Sequence, residues 1–362
     1  MTSSAFNPII PPVKVRLFFR RARATGNTSI EQSFGTMSAA FPKNNGFELD
    51  RFESSFYSNG FLPRLHAILE VRRNQATVNH ITGDTNFLAL GLPRRTTILT
   101  IHDCGLLDGK NRLVRWILWY FWLKLPVKNS QIVTAVSEST RQDIIRLTGC
   151  LPQKVCVIPT VVKSSFTYSP KVFQKDYPTI LHIGNAPNKN LERHAQSLAG
   201  LPCHFHVVGR INDKQIALLK HLKLDFSISY NLSDEALHDA YQQADILLFC
   251  STSEGFGMPI IEAQTVGRVV VTSAIAPMTD VAGEGACFAD PLSISDIRRA
   301  VEQVLTDNNY RNKLIYKGLE NTKRFNPETV ARQYATLYER IEERQRRHQQ
   351  ISYAHPLRSY GL

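Results

Sequence analysis

The most concentrated chemistry in this chain lies in one loop, Cys250-Ser251-Thr252-Ser253-Glu254-Gly255-Phe256-Gly257-Met258-Pro259-Ile260-Ile261-Glu262. Two carboxylates, Glu254 and Glu262, bracket two glycines that let the backbone approach a ligand closely. Pro259 suits the first turn of a helix, and the free amides of such a turn favour a phosphate. Paired acids at a strand-to-helix turn suit the hydroxyls of a sugar or a ribose. The competing reading is an ordinary strand–glycine turn–helix connection.

Further clusters stand at predicted strand ends. In His182-Ile183-Gly184-Asn185-Ala186-Pro187-Asn188-Lys189-Asn190-Leu191-Glu192, a strand gives way to a helix. Lys189 in the first turn opposes the helix dipole, a conflict that a bound anion would remove. A solvated lysine beside an asparagine cap is the alternative. Arg210 closes the next strand and is a second source of positive charge there. His102-Asp103 ends the run Ile98–Ile101, where α/β sites form. The histidine is either functional or a hydrogen-bonded loop residue, and Asp103 either orients it or caps a turn. His80, followed by Gly83 and Asp84, is a further strand-end cluster. The segment from Arg20 to Glu31 holds Arg23, Gly26 and Asn27, and reads as an anion-binding loop or a solvated basic turn. Arg112 to Lys124, rich in aromatic residues (Trp116, Trp119, Tyr120, Phe121 and Trp122) with cations at both ends, fits a membrane-surface helix or a buried core helix; the core reading is preferred.

Short β-rich runs alternating with helical patterns must position these residues, which predicts an α/β protein with parallel sheets and crossover helices. Strands are expected over 13–19, 77–81, 97–101 and 131–136, then 179–184, 203–209, 226–230, 245–250 and 269–272. Ser233 is expected to cap a helix over 233–243. The proline-bearing stretch from Ile158 to Pro178 reads as the linker, and a long charged helix starts near Pro327.

With 362 residues and 43% hydrophobic content, the chain can build two domains with cores of their own. A net charge of +12 favours anionic partners such as nucleotide diphosphates or acidic lipid surfaces. Six scattered cysteines without a Cys-x-x-Cys pair argue against a zinc site and for a reduced, cytoplasmic protein. The amino-terminal residues lack the apolar stretch of a signal peptide. The longest apolar run is far shorter than the ~20 residues of a membrane span. No Asp-x-Asp occurs, and no aromatic-interleaved basic stripe suggests a nucleic-acid module.

The 250–262 loop, its flanks Tyr241 to Cys250 and Gly267 to Ser273, the 182–192 segment and the His102 strand end together resemble the retaining glycosyltransferases of family 4, the glycosyl transferases group 1. That resemblance implies two Rossmann-like domains with parallel sheets facing across a cleft, the GT-B fold. It implies residues 1–165 as an acceptor-side domain and 166–326 as a nucleotide-sugar domain. Residues 327–362 would be a helix crossing back to the first domain plus a basic tail. It assigns Glu262 to the donor ribose, Glu254 and His102 to the transferred sugar, and the Phe256, Gly257 and Met258 amides to the diphosphate or sugar. Gly184, Lys189, Arg210 and Gly26 fall on the donor side; Arg23, Asn27, His80 and Asp103 fall on the acceptor side. The chain departs from the family in having Asn185 where an arginine is usual and Gly26 alone where two glycines are usual.

The activity so implied is a metal-independent hexosyltransferase. It takes a nucleotide diphosphate sugar to a hydroxyl of a saccharide or lipid-linked saccharide, in surface polysaccharide or glycolipid synthesis, with no cofactor beyond its substrate. A cytoplasmic protein, with peripheral contact at the inner membrane face left open, is the matching location. Rival readings are a sugar phosphorylase or nucleotide-sugar epimerase on the same fold, or a basic binding module.

Overall fold

The computed structural model describes residues 12–21, 29–42, 46–58, 60–107 and 109–354, with side chains to residue 348. Gly26, Arg23 and Asn27 lie outside the described residues. The chain forms two compact units. The first comprises residues up to Ala135, Arg141–Ile158 and the chain from Val330 onward; the second comprises Val136–Thr140 and Pro159–Thr329.

The first unit holds a six-stranded sheet of β1 (Val13–Phe19), β2 (Phe47–Glu53), β3 (Val78–Ile81), β4 (Thr97–Ile101), β5 (Ile132–Ala135) and β6 (Val155–Val157). All neighbours are parallel, in the order β2-β1-β3-β4-β5-β6. The central strands β3, β4 and β5 are buried at every position. Both faces of such a sheet are covered, so near-continuous aliphatic runs replace alternation. One face is closed by the helix Pro327–Ala354, whose Tyr334 and Tyr338 pack on Phe34, Phe41, Phe47 and His80.

His80 belongs to this core and not to an acceptor surface, which corrects the expectation for it. It is fully buried, with Nδ1 2.9 Å from the Tyr338 hydroxyl and Nε2 2.8 Å from the Thr100 hydroxyl. Burial drives its pKa down to about 3. Both ring nitrogens are used within the fold.

The second unit holds β7 (Thr179–Ile183), β8 (His204–Val208), β9 (Asp225–Ser229), β10 (Ile246–Phe249), β11 (Val269–Ser273) and β12 (Cys287–Ala289). Its parallel order is β12-β11-β10-β7-β8-β9. Counted from its own first strand, this is the 3-2-1-4-5-6 order of dinucleotide-binding folds. The order reverses between β7 and β10, so the loops leaving those two strands flank the switch point, where α/β sheets bind ligands. The two Rossmann-like domains are therefore present as separate parallel sheets.

Two expectations change. Val162 and Phe166, read as linker beside prolines, are buried in the core of the second unit with Tyr241, Phe256 and Ile260. The helix Arg112–Leu118, read as core, buries none of its residues: Leu113 is 68% and Trp116 54% exposed. A π-helical turn, Trp119–Lys124, follows it and turns Leu123 inward.

Candidate functional site

The loops after β7 and β10 bring most of the expected donor-side residues together. Beyond β7, Gly184 takes φ 106°, and a Cβ there would lie 2.8 Å from the Lys189 side chain. A glycine is needed for both reasons. The chain then makes a short turn, Pro187–Lys189, and the helix Leu191–Leu198 begins after Asn190, which adopts φ 65°. Lys189 thus stands just outside the helix start, not within its first turn. Asn190 fixes that start by donating to the carbonyls of Cys250 and Pro291 at 2.9 and 2.7 Å.

Beyond β10, Gly257 takes φ 107° and opens the helix Met258–Val266, with Pro259 in its first turn. Nearly every residue of this helix is buried. Phe256 faces the core against Phe325, leaving only its backbone for a ligand. Met258 is the first helical residue.

Glu262 lies one turn further along and is only 6% exposed. A helix apolar all round carries a carboxylate only at a cost. Burial raises the pKa of Glu262, and the Tyr241 hydroxyl, which donates at 2.7 Å, opposes that rise together with the charge of Lys163. Among the described residues Tyr241 alone donates to it, so carboxylate acceptor capacity remains for a ligand hydroxyl.

Lys189 and Glu254, assigned separately to phosphate and sugar, meet each other. Their Nζ–Oε1 distance is 2.6 Å, with side chains 19% and 13% exposed. The ammonium also sits 4.7 Å from the centre of the Phe249 ring. Asn188 donates to the Ser253 carbonyl at 2.8 Å, and its own carbonyl accepts from Thr252 N–H at 2.8 Å. In the free protein, Glu254 relieves the conflict between Lys189 and the helix dipole. Asn185, where the resemblance expects an arginine, donates to the Arg210 carbonyl. The Arg210 guanidinium lies over Tyr230 instead.

A buried chain of imidazoles joins the two loops. Cys250 N–H donates to His194 Nε2 at 3.1 Å, His194 Nδ1 lies 2.9 Å from His182 Nδ1, and His182 Nε2 lies 2.8 Å from the Gly184 carbonyl. The ends fix the tautomers. His194 accepts at Nε2 and so donates at Nδ1; His182 accepts at Nδ1 and so donates at Nε2. Both rings are neutral: burial lowers His182 to about 4 and pushes His194 well below its ordinary value. The contacts of this pair and of Tyr241 were missed in the sequence, and Asn190 was read there only as a helix cap. An asparagine at a helix cap is the one signal that pointed toward any of them.

In the first unit, His102 follows β4. Its Nε2 donates to the Thr82 carbonyl at 2.8 Å. Burial lowers its pKa, against the raising influence of that bond and of Asp84, Asp103 and Glu31. Gly83 has φ 131°, and a Cβ there would lie 2.4 Å from the ring, so this glycine seats His102. Asp103 caps the next turn by accepting from Gly105 N–H at 2.9 Å. Arg20 pairs with Glu31 and Asp84, and Arg21 donates to the Ser55 carbonyl; both are engaged within the fold. In the second unit, Ser137 caps its helix, accepting from Thr140 N–H. Among the described residues no cluster of three or more His, Cys, Asp or Glu is placed to hold a metal.

Two family models match. Residues 39–166 match Glycosyltransferase Family 4, and residues 167–321 match Glycosyl transferases group 1. The chain is 27% identical over 256 residues to the serotype-specific mannosyltransferase WbdA of Escherichia coli, a match covering 63% of this chain and 31% of that protein. It is 26% identical over 233 residues to the O-antigen chain mannosyltransferase B of Escherichia coli, covering 58% and 61%. The matches thus span about a third and three-fifths of these relatives' lengths. The crystal structure of Anabaena Alr3699/HepE in complex with UDP and glucose superposes with a TM-score of 0.71 at 14% identity, covering 90% of this chain and 99% of that one.

Proposed function

This chain belongs to glycosyltransferase family 4, and on that premise we propose that it transfers a hexose, mannose foremost, from a nucleotide diphosphate sugar to a saccharide hydroxyl with retention of configuration. The observation that carries the reading is the convergence of Lys189, Glu254 and the buried Glu262 at the switch point of the second sheet. The mannosyltransferase relatives support mannose and a role in surface polysaccharide synthesis.

The reaction breaks the bond between the anomeric carbon and a diphosphate oxygen. It forms a bond from that carbon to the acceptor oxygen on the same face, and the acceptor proton passes to the departing phosphate. Positive charge grows on the sugar ring and negative charge on the leaving group. Lys189 and the amides at the starts of helices 191–198 and 258–266 stabilise the diphosphate. Glu262 accepts from the ribose hydroxyls. On binding, the diphosphate takes over Lys189 and releases Glu254 to the sugar. His102 is assigned to the sugar on the resemblance of its strand end. No metal bridges the diphosphate and no cofactor is required beyond the donor; the missing Asp-x-Asp supports this. A chelator is expected to leave turnover intact.

The acceptor and location form the finer part of the reading. Among the described residues no helix is long and apolar enough to cross a membrane. Leu113, Trp116 and Ile117 nevertheless stand exposed on one helix beside Lys110, Arg112 and Arg115. An apolar face flanked by cations suits the surface of an anionic bilayer. This supports peripheral contact and a lipid-linked acceptor.

Thermal shift with UDP, GDP, ADP and TDP tests the donor site. A ligand that binds only the native state raises its apparent stability. One nucleotide is expected to shift the wild type and not Glu262→Ala. Equal shifts in both proteins would refute the assignment of Glu262.

A further inference from the structure

The buried histidine pair of the second unit lies between the two donor loops, and the transfer chemistry does not use it. His182 and His194 are fully buried. The pair runs from a backbone amide, Cys250 N–H, to a backbone carbonyl, that of Gly184. Neither end gives up or takes a proton at ordinary pH, so the pair is no proton relay. What it can do is hold peptides in one orientation, because a buried polar network with every partner satisfied rigidifies what it joins. We propose that the pair is a positioning device for the donor diphosphate: it holds the Gly184–Asn185 peptide with its carbonyl inward, so that the Asn185 amide faces outward beside Lys189 as a phosphate donor. The proposal rests on the nucleotide-diphosphate reading of the site and adds a donor to it.

The geometry of one peptide carries this. His182 Nε2 donates to the Gly184 carbonyl at 2.8 Å. In a trans peptide the C=O and N–H point in opposite directions. A carbonyl directed at a buried ring therefore turns the N–H of the same peptide, that of Asn185, away from the interior. Asn185 is exposed, and among the described residues nothing accepts from its N–H. Its side chain is tied back to the Arg210 carbonyl at 2.8 Å. The peptide also borders the cation, since a Cβ on Gly184 would lie 2.8 to 3.1 Å from three carbons of Lys189.

Two glycines show why this peptide needs holding and how room is made for it. Gly184, at φ 106°, has no Cβ to restrict the peptide that follows it. Gly209, just after β8, packs on the carbonyl itself: a Cβ there would stand 3.0 Å from the Gly184 carbonyl carbon and 3.1 Å from its oxygen. A side chain at 209 would push that carbonyl off the ring. The direction is set from the far end. Cys250 N–H obliges His194 to accept at Nε2, and so obliges His182 to donate at its own Nε2. The loop after β10 thus sets, through two rings, an amide of the loop after β7.

Isothermal titration of the full chain with UDP, GDP, ADP or TDP, whichever shifts the wild type, and with the matching nucleoside tests this. The ratio of the two affinities is the gain from the phosphates. His182→Leu should cut that ratio about tenfold or more, as expected for a lost hydrogen bond to a charged group, while nucleoside affinity holds. His182→Gln keeps a donor for the Gly184 carbonyl and an acceptor for His194, and should restore most of the ratio. Gly209→Ala leaves both rings in place and should also lower it. In the wild type the Asn185 amide resonance should move downfield with the diphosphate and not with the nucleoside. A ratio unchanged in His182→Leu and Gly209→Ala, a His182→Gln no better than His182→Leu, or an Asn185 resonance indifferent to the diphosphate would overturn the inference. Nucleoside affinity falling in step with that of the diphosphate would reduce the pair to a purely structural role and overturn it as well. A wild type that binds none of the four nucleotides would instead refute the donor reading itself, so the two failures are distinguishable.

Discussion

Replacing Glu254 by Gln should tighten nucleoside diphosphate binding while slowing transfer. In the free protein Lys189 is held by Glu254 at 2.6 Å, so a diphosphate must displace that carboxylate. A hydrogen bond to a charged group contributes about 1.5–3 kcal/mol net. Glutamine keeps an acceptor oxygen for the Lys189 ammonium but not the opposite charge, so its bond falls to the lower end of that range and the competition weakens by about 1–1.5 kcal/mol. Both side chains are less than a fifth exposed, so solvent does not erase this. At about 1.4 kcal/mol per decade, affinity should rise roughly 5- to 12-fold. Isothermal titration at fixed ionic strength, with the nucleotide that shifts the wild type, measures it. Transfer should fall in the same variant, because the sugar loses its carboxylate. Unchanged or weaker nucleotide binding would refute the role of the ion pair. An equal gain in a Lys189→Met background would assign the effect to repulsion between Glu254 and the diphosphate instead.

Other outcomes follow from the same geometry. Burial raises the pKa of Glu262, so the native state holds its proton more tightly than the unfolded chain, and stability falls as pH rises through that window. Glu262→Gln should therefore raise Tm at neutral pH while weakening nucleotide binding; a lower Tm would contradict this. His80 and His182 are depressed to about 3 and about 4 from an ordinary 6.5. The native rings stay neutral while unfolded ones take protons. Their contribution is full above pH 6.5 and lost as pH falls toward 4, at about 1.4 kcal/mol per pH unit for each ring. A Tm series from neutral to acidic pH should show this fall, and a smaller one in His80→Gln. Gly83→Ala should displace His102 and strain a φ of 131°, cutting transfer while nucleotide binding holds. The double variant Trp116→Ser, Ile117→Ser should lose sedimentation with anionic vesicles; retained binding would remove that face from the reading.

The legibility of this chain depended on how far each signal reached. β10 and β11, Ile246–Phe249 and Val269–Ser273, are apolar runs buried on both faces and announced themselves. β2 did not: Phe-Glu-Leu-Asp-Arg-Phe-Glu carries charges because it is an edge strand, and it reads as loop. β6 and β12 are three residues long, too short for any period. The 182–192 and 250–262 loops were visible because glycine, proline and acids cluster locally. The pairing of Lys189 with Glu254 was not, since 65 residues separate them and only the adjacency of β7 and β10 brings them together. The aromatic run from Trp116 to Trp122 identifies an amphipathic helix but carries no information about what covers it.

The hydrogen bond from His80 to Tyr338 spans 258 residues of chain. Between its two ends the ribosome makes the whole stretch Pro159–Thr329, which folds as part of the other unit. At about 5–20 residues per second, His80 waits on the order of 13–50 s for its partner. The first sheet to be synthesised is thus the last to be closed, and in the interval its tyrosine-binding face is nascent apolar surface, the kind that chaperones hold. A chain interrupted near Thr329 would carry the β7 and β10 loops complete and still lack the aromatic strap of its oldest strands.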